Sequence, residues 1–309
     1  MEYIGLQNQI ARNNRRSIGL LIAFPGLILI AVYAFLFFGL GKDIDSTNLK
    51  FIQIAPIALV AVGIWFIIAY LFQASIIKAT SGAKTLERNE NLRVYNLTEN
   101  LCMSIGMKMP KLYVIESSAL NAFASGIDEK SFSVTLTTGI IETLNDQELE
   151  GVIAHELTHI RNKDVRLLVV TIIFVGIFAF LVEVLLRNVI HGGRGRKNDK
   201  SDGKLVLVAL VISIVVYFFS ILFKFALSRK REYLADAGAV ELTKNSHALA
   251  SALRKISGNS NLDVKSDDLK QSFIENRPEN SKGFLSSIGG LFSTHPPIEK
   301  RIEILEKGI

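Results

Sequence analysis

Four stretches of the 309-residue chain are almost free of charge: residues 18–41, 51–77, 167–186 and 205–223, of 24, 27, 20 and 19 residues. A helix needs roughly 20 apolar residues, at about 1.5 Å each, to cross about 30 Å of hydrocarbon. Each run is near or above that length, and Glu183 is the single charged member among their 90 residues. The other 219 residues hold 63 of the 64 charges, a density typical of soluble surface. A purely soluble protein is excluded. The pattern predicts about four transmembrane helices interleaved with polar structure. Residues 1–17 form a basic arm, 18–77 a first transmembrane hairpin and 78–164 a first soluble segment. A second hairpin, 165–227, precedes a second soluble segment, 228–309.

Further bounds follow from composition. The first apolar run is too long for a signal-peptide core and lacks a small-x-small cleavage site, so it reads as retained. A single cysteine, Cys102, allows no internal disulfide and no Cys-rich metal site. The net charge of +6 comes from basic residues that flank the apolar runs. That placement suits anionic headgroups, and no nucleic-acid-binding pattern appears. Glu183 is costly in lipid and is expected to face the bundle or the interface.

The soluble segments read as α+β and mainly helical. Leu92, Leu97 and Leu101 have helical spacing within 87–106, and Met109-Pro110 ends the pattern. Runs 111–115 and 132–137 are rich in β-branched and aromatic residues and read as strands, with Gly126 and Asp128 as turn residues between them. Asn145 and Glu148 have capping-box spacing at the start of another helix. Helices are also expected over 228–243, 248–256 and after Pro296-Pro297.

The helix opened by Asn145 carries His155-Glu156-Leu157-Thr158-His159. Residues four apart lie on one helical face, so both imidazoles can ligate one Zn²⁺ while Glu156 sits beside the open position. Ala154, Leu157 and Ile160 suit a buried catalytic helix better than a solvated one. A catalytic zinc takes three protein ligands plus water. Glu232-Tyr-Leu-Ala-Asp236 offers the third: Glu232 as ligand, and Asp236, one turn on, as acceptor for the spare N–H of a ligand histidine. The alternative is that both carboxylates are solvated and paired with the basic run 229–231.

These residues also carry a family resemblance. Ala119-Leu-Asn-Ala-Phe-Ala124, His155-Glu-Leu-Thr-His-Ile-Arg-Asn162 with Asp164, Ser228-Arg-Lys-Arg-Glu-Tyr-Leu-Ala-Asp-Ala237 and Thr294-His-Pro-Pro297 occur in that order. In order, spacing and four-span layout the chain resembles the HtpX family of heat-shock-associated membrane zinc endopeptidases, relatives of the CAAX prenyl proteases. The resemblance covers nearly the whole chain. It implies a gluzincin-like domain with His155, His159 and Glu232 on one Zn²⁺ per chain and Glu156 as base. It also implies membrane-protein substrates, often damaged or misfolded.

Two imidazoles and one carboxylate leave a zinc site with net charge about +1, enough to acidify water and polarise a carbonyl. Glu156 is expected to take the water's proton and deliver it to the leaving amine. A further donor for the oxyanion is expected in His295, with Arg301 as an alternative donor or as an anchor for Asp236. The competing reading makes His295 a residue at the helix start and Arg301 a surface charge. Asn121 either steers a substrate backbone added to an edge strand or caps a turn.

Leu167 lies eight residues after His159 and Phe223 nine before Glu232, so both rulers place zinc just below the hydrocarbon edge, within about 14 Å. With the N-terminus inside, the basic residues within 12–16, 78–88, 161–166 and 224–231 satisfy the positive-inside rule. That puts the catalytic domain on the cytoplasmic side of a multi-pass cell membrane. The loop 187–204 violates the rule with six basic residues. Either the second hairpin does not cross fully, or the earlier charges dominate. The expected partners are the bilayer and membrane-protein or unfolded polypeptide substrates, with no nucleic acid. Intact His155, Glu156, His159 and Glu232 argue against a silent scaffold, and four spans are few for a prenyl-protein peptidase with a large intramembrane chamber.

Overall fold

The structure is a computed structural model and describes residues 6–39, 43–170, 173, 210, 211, 214, 229–258 and 296–307. The apolar runs 167–186 and 205–223, the loop between them, Glu183 and His295 lie largely or wholly outside the described residues. The chain divides into two compact units. One comprises Met1–Asn14, Phe72–Val169 and Phe225–Ile309, the other Arg15–Leu71 and Val170–Lys224.

The described part of the second unit draws on helices α1 (Leu6–Gly39) and α2 (Ile44–Ser81). Within them, Leu21–Phe38 and Ile44–Phe72 are long and apolar enough to cross a membrane. Ile22, Ile30, Ile52, Ile57 and Leu71 stand exposed, an apolar surface that is costly in water and favourable in hydrocarbon. Pro25 and Pro56 lie inside these helices, where membrane-spanning segments tolerate proline. Asp43 begins α2 by accepting the Ser46 backbone N–H, while the Thr47 hydroxyl donates to the Asp43 carbonyl. Tyr33 fastens the two helices: its hydroxyl donates to Asn48 at 3.0 Å and its ring meets Phe51 edge-on.

The first unit is a small mixed sheet with helices. Strands β1 (Lys84–Thr85), β2 (Lys111–Ile115), β3 (Ala122–Ser125) and β4 (Ser133–Thr137) lie in the order β1-β2-β4-β3. β2 runs parallel to β4, and β1 and β3 are antiparallel to their neighbours. Gly126, at φ +119°, makes the turn out of β3, and an added Cβ there would strike the Ser131 carbonyl at 2.6 Å. Thr137 closes the far end. Its hydroxyl donates to the Ala119 carbonyl, and its backbone N–H donates to the Asn121 carbonyl.

Helix α3 (Leu92–Ser104) is capped by Asn91, and α4 (Thr138–Thr143) by Thr137. From α3, Arg93 donates to the carbonyls of Ile141 and Leu144 and to Asp146, fixing the approach to α5 (Asp146–Arg161). The capping box expected there is present, with Asn145 and Glu148 bonding reciprocally. Helices α6 (Arg229–Thr243), α7 (Ser246–Gly258) and α8 (Ile298–Glu306) complete the described part of this unit. Leu149, Val152, Ile153 and Leu157 of α5 and Leu249, Leu253 and Ile256 of α7 form its core.

Glu148 does more than cap. Its carboxylate also accepts from Ser251 and from Lys255 at 2.6 Å, tying the start of α5 to α7. Burial pushes this carboxyl up, but Lys255, Ser251 and the Asn145 N–H outweigh it and hold it below its ordinary value. A carboxyl depressed in the folded state stabilises above its unfolded pKa of about 4.3 and loses that contribution as pH falls through the folded value. Glu148→Gln is therefore expected to lower stability by about 1–2 kcal/mol at pH 7, a capping-box and charge-assisted hydrogen-bond effect. Thermal unfolding in detergent checks it: the gap between wild type and variant should narrow at pH 3. An equal gap at both pH values contradicts it.

Candidate metal centre

Helix α5 presents His155 and His159 one turn apart, with Nε2 atoms 3.2 Å from each other. Apolar neighbours on α5 hold the helix in the core, so the two rings have little freedom. Helix α6 brings Glu232 against both: Oε2 lies 3.6 Å from His155 Nε2 and Oε1 3.6 Å from His159 Nε2. One donor atom from each residue can be chosen so that all three fall within 4.8 Å of one another.

These separations suit a single shared ion. With metal–nitrogen bonds of about 2.0–2.1 Å, a 3.2 Å nitrogen pair subtends roughly 100° at the metal. The electrostatics agree. Glu156, Asp164, Glu232 and Asp236 are all buried, and Arg231 and Arg301 are the buried guanidinium groups among the described residues. Four carboxylates against two cations leave a deficit that one divalent ion matches, and buried charge of one sign is costly unless compensated. Burial alone would push His155 toward its neutral form. Asp236 and Glu232 override this and raise its pKa to about 9, so the cluster draws positive charge even as a proton.

Both imidazoles are held from behind. His155 Nδ1 stands 3.0 Å from Asp236 Oδ1, at ion-pair distance though off the line of a straight hydrogen bond. His159 Nδ1 stands 3.3 Å from Asp164 Oδ2. Asp164 reaches back because α5 ends at Asn162 and Lys163 takes φ +58° before the chain turns helical again over 164–170. That left-handed residue redirects the chain, whereas five residues on a straight helix would point Asp164 elsewhere. Arg231 Nη1 donates to the Asp164 carbonyl at 3.4 Å.

Arg301 arrives from α8 and is 1% exposed. Its Nε and Nη2 donate to the two Asp236 oxygens at 2.9 and 2.7 Å, a bidentate fork, and Nη1 lies 3.6 Å from Glu232. Beside this guanidinium and His155, Asp236 is held down to about 2 despite burial. Burial raises Glu156 above the ordinary carboxylate value, while His155, His159 and the Ala124 backbone N–H pull against it. That N–H places Glu156 against edge strand β3. Asn121 is buried at the head of the same strand, its Oδ1 accepting the Ala122 N–H at 2.9 Å and its own N–H bonding Thr137. His155, Glu156, His159, Glu232, Asp236 and Arg301 thus come together, Asn121 sits beside β3, and His295 lies outside the described residues. The contacts of Asp164 and the Ala124 N–H are absent from the sequence reading. An acid shortly beyond the second histidine was the only available signal for Asp164.

The profile of peptidase family M48 matches residues 88–309, a stretch that takes in the whole centre. The chain belongs to peptidase family M48. It is a metalloprotease, a hydrolase acting on peptides. A protease HtpX homologue of Bacteroides fragilis is 52% identical over 321 aligned positions, covering 99% of this chain and 100% of its own. One from Listeria monocytogenes is 36% identical over 97% of this chain and 99% of its own. The crystal structure of S. mikatae Ste24p matches 96% of this chain at 19% identity and a TM-score of 0.51, and the chain spans 66% of that protein's length. The last likeness concerns fold: a mainly helical M48 architecture with a small mixed sheet.

Removing one partner of a buried ion pair strands the other. Arg301→Met is expected to destabilise this M48 unit by about 3–5 kcal/mol. In Arg301→Met/Asp236→Asn the loss should be clearly smaller than the sum of the two single losses. Denaturant titration of the detergent-solubilised chain reads both, and strictly additive losses contradict the coupling.

Proposed function

We propose that this chain is an integral membrane zinc endopeptidase. It hydrolyses peptide bonds of membrane proteins, damaged or misfolded ones among them, and so serves membrane protein quality control. The observation that carries this reading is the convergence of His155, His159 and Glu232 on one point, with Glu156 buried alongside. Its similarity over nearly the whole chain to protease HtpX homologues supports it.

His155, His159 and Glu232 would hold one Zn²⁺. When bound, the ion supplies Lewis acidity toward a peptide carbonyl and brings the pKa of water toward about 7. Glu156 accepts the attacking water's proton and returns it to the leaving amine. Its upward shift suits this double task, because a base closer to neutrality both takes and gives up a proton readily. Asp236 and Asp164 face Nδ1 of their histidines and electrostatically favour the proton there, which leaves the Nε2 lone pairs for the ion. Arg301 fixes Asp236 from the far side.

An extended substrate segment adds to edge strand β3, with Asn121 steering its backbone. For the oxyanion, His295 is the candidate donor. Arg301 is the lesser one, because two of its nitrogens are already committed to Asp236. Four spans make up two hairpins: 18–77 precedes the catalytic domain, and 165–227 interrupts it between 78–164 and 228–309, with the domain facing the cytoplasm. The apolar runs and their basic flanks support that layout, as do the two compact units.

Glu156→Gln removes basicity and leaves the three ligands, so it should retain zinc and lose at least about 10²-fold in turnover on casein or a membrane-protein substrate. Wild-type turnover would remove Glu156 as the base. In cells, this variant should stabilise damaged membrane proteins relative to wild type. Quantitative proteomics in which only soluble proteins accumulate contradicts the substrate class.

A further inference from the structure

Helix α6 carries Glu232 and Asp236, and helix α5 carries both histidines, so the metal centre exists only if these helices lie at one particular separation. Gly238, two residues past Asp236, sits at their crossing. A Cβ built on Gly238 would lie 2.3 Å from Thr158 Cγ2, 2.9 Å from its Oγ1 and 3.2 Å from its Cβ. Thr158 is the residue between Leu157 and His159 and is 2% exposed. Its hydroxyl donates to the Ala154 carbonyl at 2.8 Å. A β-branched side chain in a helix has few usable rotamers, and that bond holds this one. Thr158 therefore cannot swing clear, and an added methyl must push the helices apart.

We propose that Gly238 and Thr158 form a spacer that sets the distance between the two ligand-bearing helices. The pair thereby positions Glu232 for the metal and Asp236 for His155. Helix separation depends on the side chains at the contact, and glycine permits the closest approach. The spacing is local. Gly151, on the same helix, faces Leu249 of α7, where an added Cβ would meet ordinary contacts at 3.4 Å. A methyl at position 151 would rest in close van der Waals contact, whereas one at 238 would overlap its neighbour. Ligand atoms 3.6 Å apart around one ion tolerate little displacement, so tenths of an ångström at the crossing register in metal affinity. This inference rests on the reading of His155, His159 and Glu232 as metal ligands.

Competition between the full-length detergent-solubilised chain and a chromogenic chelator, with zinc as the probe, measures the effect. Gly238→Ala should weaken zinc binding by about 10–100-fold, the range for disturbing the shell around metal ligands. Gly151→Ala should bind zinc as the wild type does. The double variant Gly238→Ala/Thr158→Ala removes the two closest obstructing atoms and should match Thr158→Ala alone. That rescue separates spacing from a general loss of packing, since a purely structural defect would worsen when a second buried side chain is trimmed. If Gly238→Ala fails to fold, the double variant must fold and bind zinc for the proposal to stand. Wild-type affinity in Gly238→Ala, or no recovery in the double variant, overturns the spacer alone. Absence of zinc binding in the wild type overturns the metal reading and the spacer with it.

Discussion

Four carboxylates and two imidazoles gathered in one buried neighbourhood impose the constraint around which this structure is arranged. Charges of one sign repel strongly where water is scarce, and each must be offset or neutralised. Two guanidinium groups offset part of the charge, and the geometry of three donors suits a divalent ion for the remainder. This accounts for residues brought from distant parts of the chain. Arg301 pairs with Asp236 across 65 positions, and Arg231 reaches Asp164 across 67. Neither contact has any local reason to form. The first offsets a buried carboxylate of the candidate metal centre, and the second gives a buried guanidinium a backbone carbonyl.

The rest of the first unit holds α5 in place. Its N-terminus is fixed twice, by the capping box and by Ser251 and Lys255 of α7. Arg93 clamps the loop just before it. Its far end is shaped by the left-handed Lys163, which turns Asp164 back onto His159. Edge strand β3 lies beside Glu156 through the Ala124 N–H, so the residue proposed as base and the surface proposed for an extended peptide share one hydrogen bond. Fold and site are linked here by particular atoms rather than by general proximity.

The sequence exposed elements whose signals are local. The α5 capping box and the two-histidine spacing could be read directly, and β2 spans the same residues, Lys111–Ile115, that its β-branched and aromatic content indicates. Strand β3 was invisible because Ala122-Phe-Ala-Ser125 carries no β-branched residue, and pairing with β4 supplies what its composition lacks. β1, at two residues, exists only through its pairing with β2. The role of Asp164 depends on a positive φ at a lysine, which no composition rule flags. The choice between Arg301 as oxyanion donor and Arg301 as anchor also needed coordinates, because no local pattern tells a helix which carboxylate it will meet.

The central claim is that a metal ion completes this buried cluster. Elemental analysis of the purified full-length chain, before and after chelation, tests it most directly, with Glu232→Ala measured alongside. The expected result is one zinc per chain in the wild type, lost on chelation together with peptidase activity, and little zinc in the variant. A wild-type chain that is active without zinc, or a Glu232→Ala chain that keeps both zinc and activity, contradicts the account.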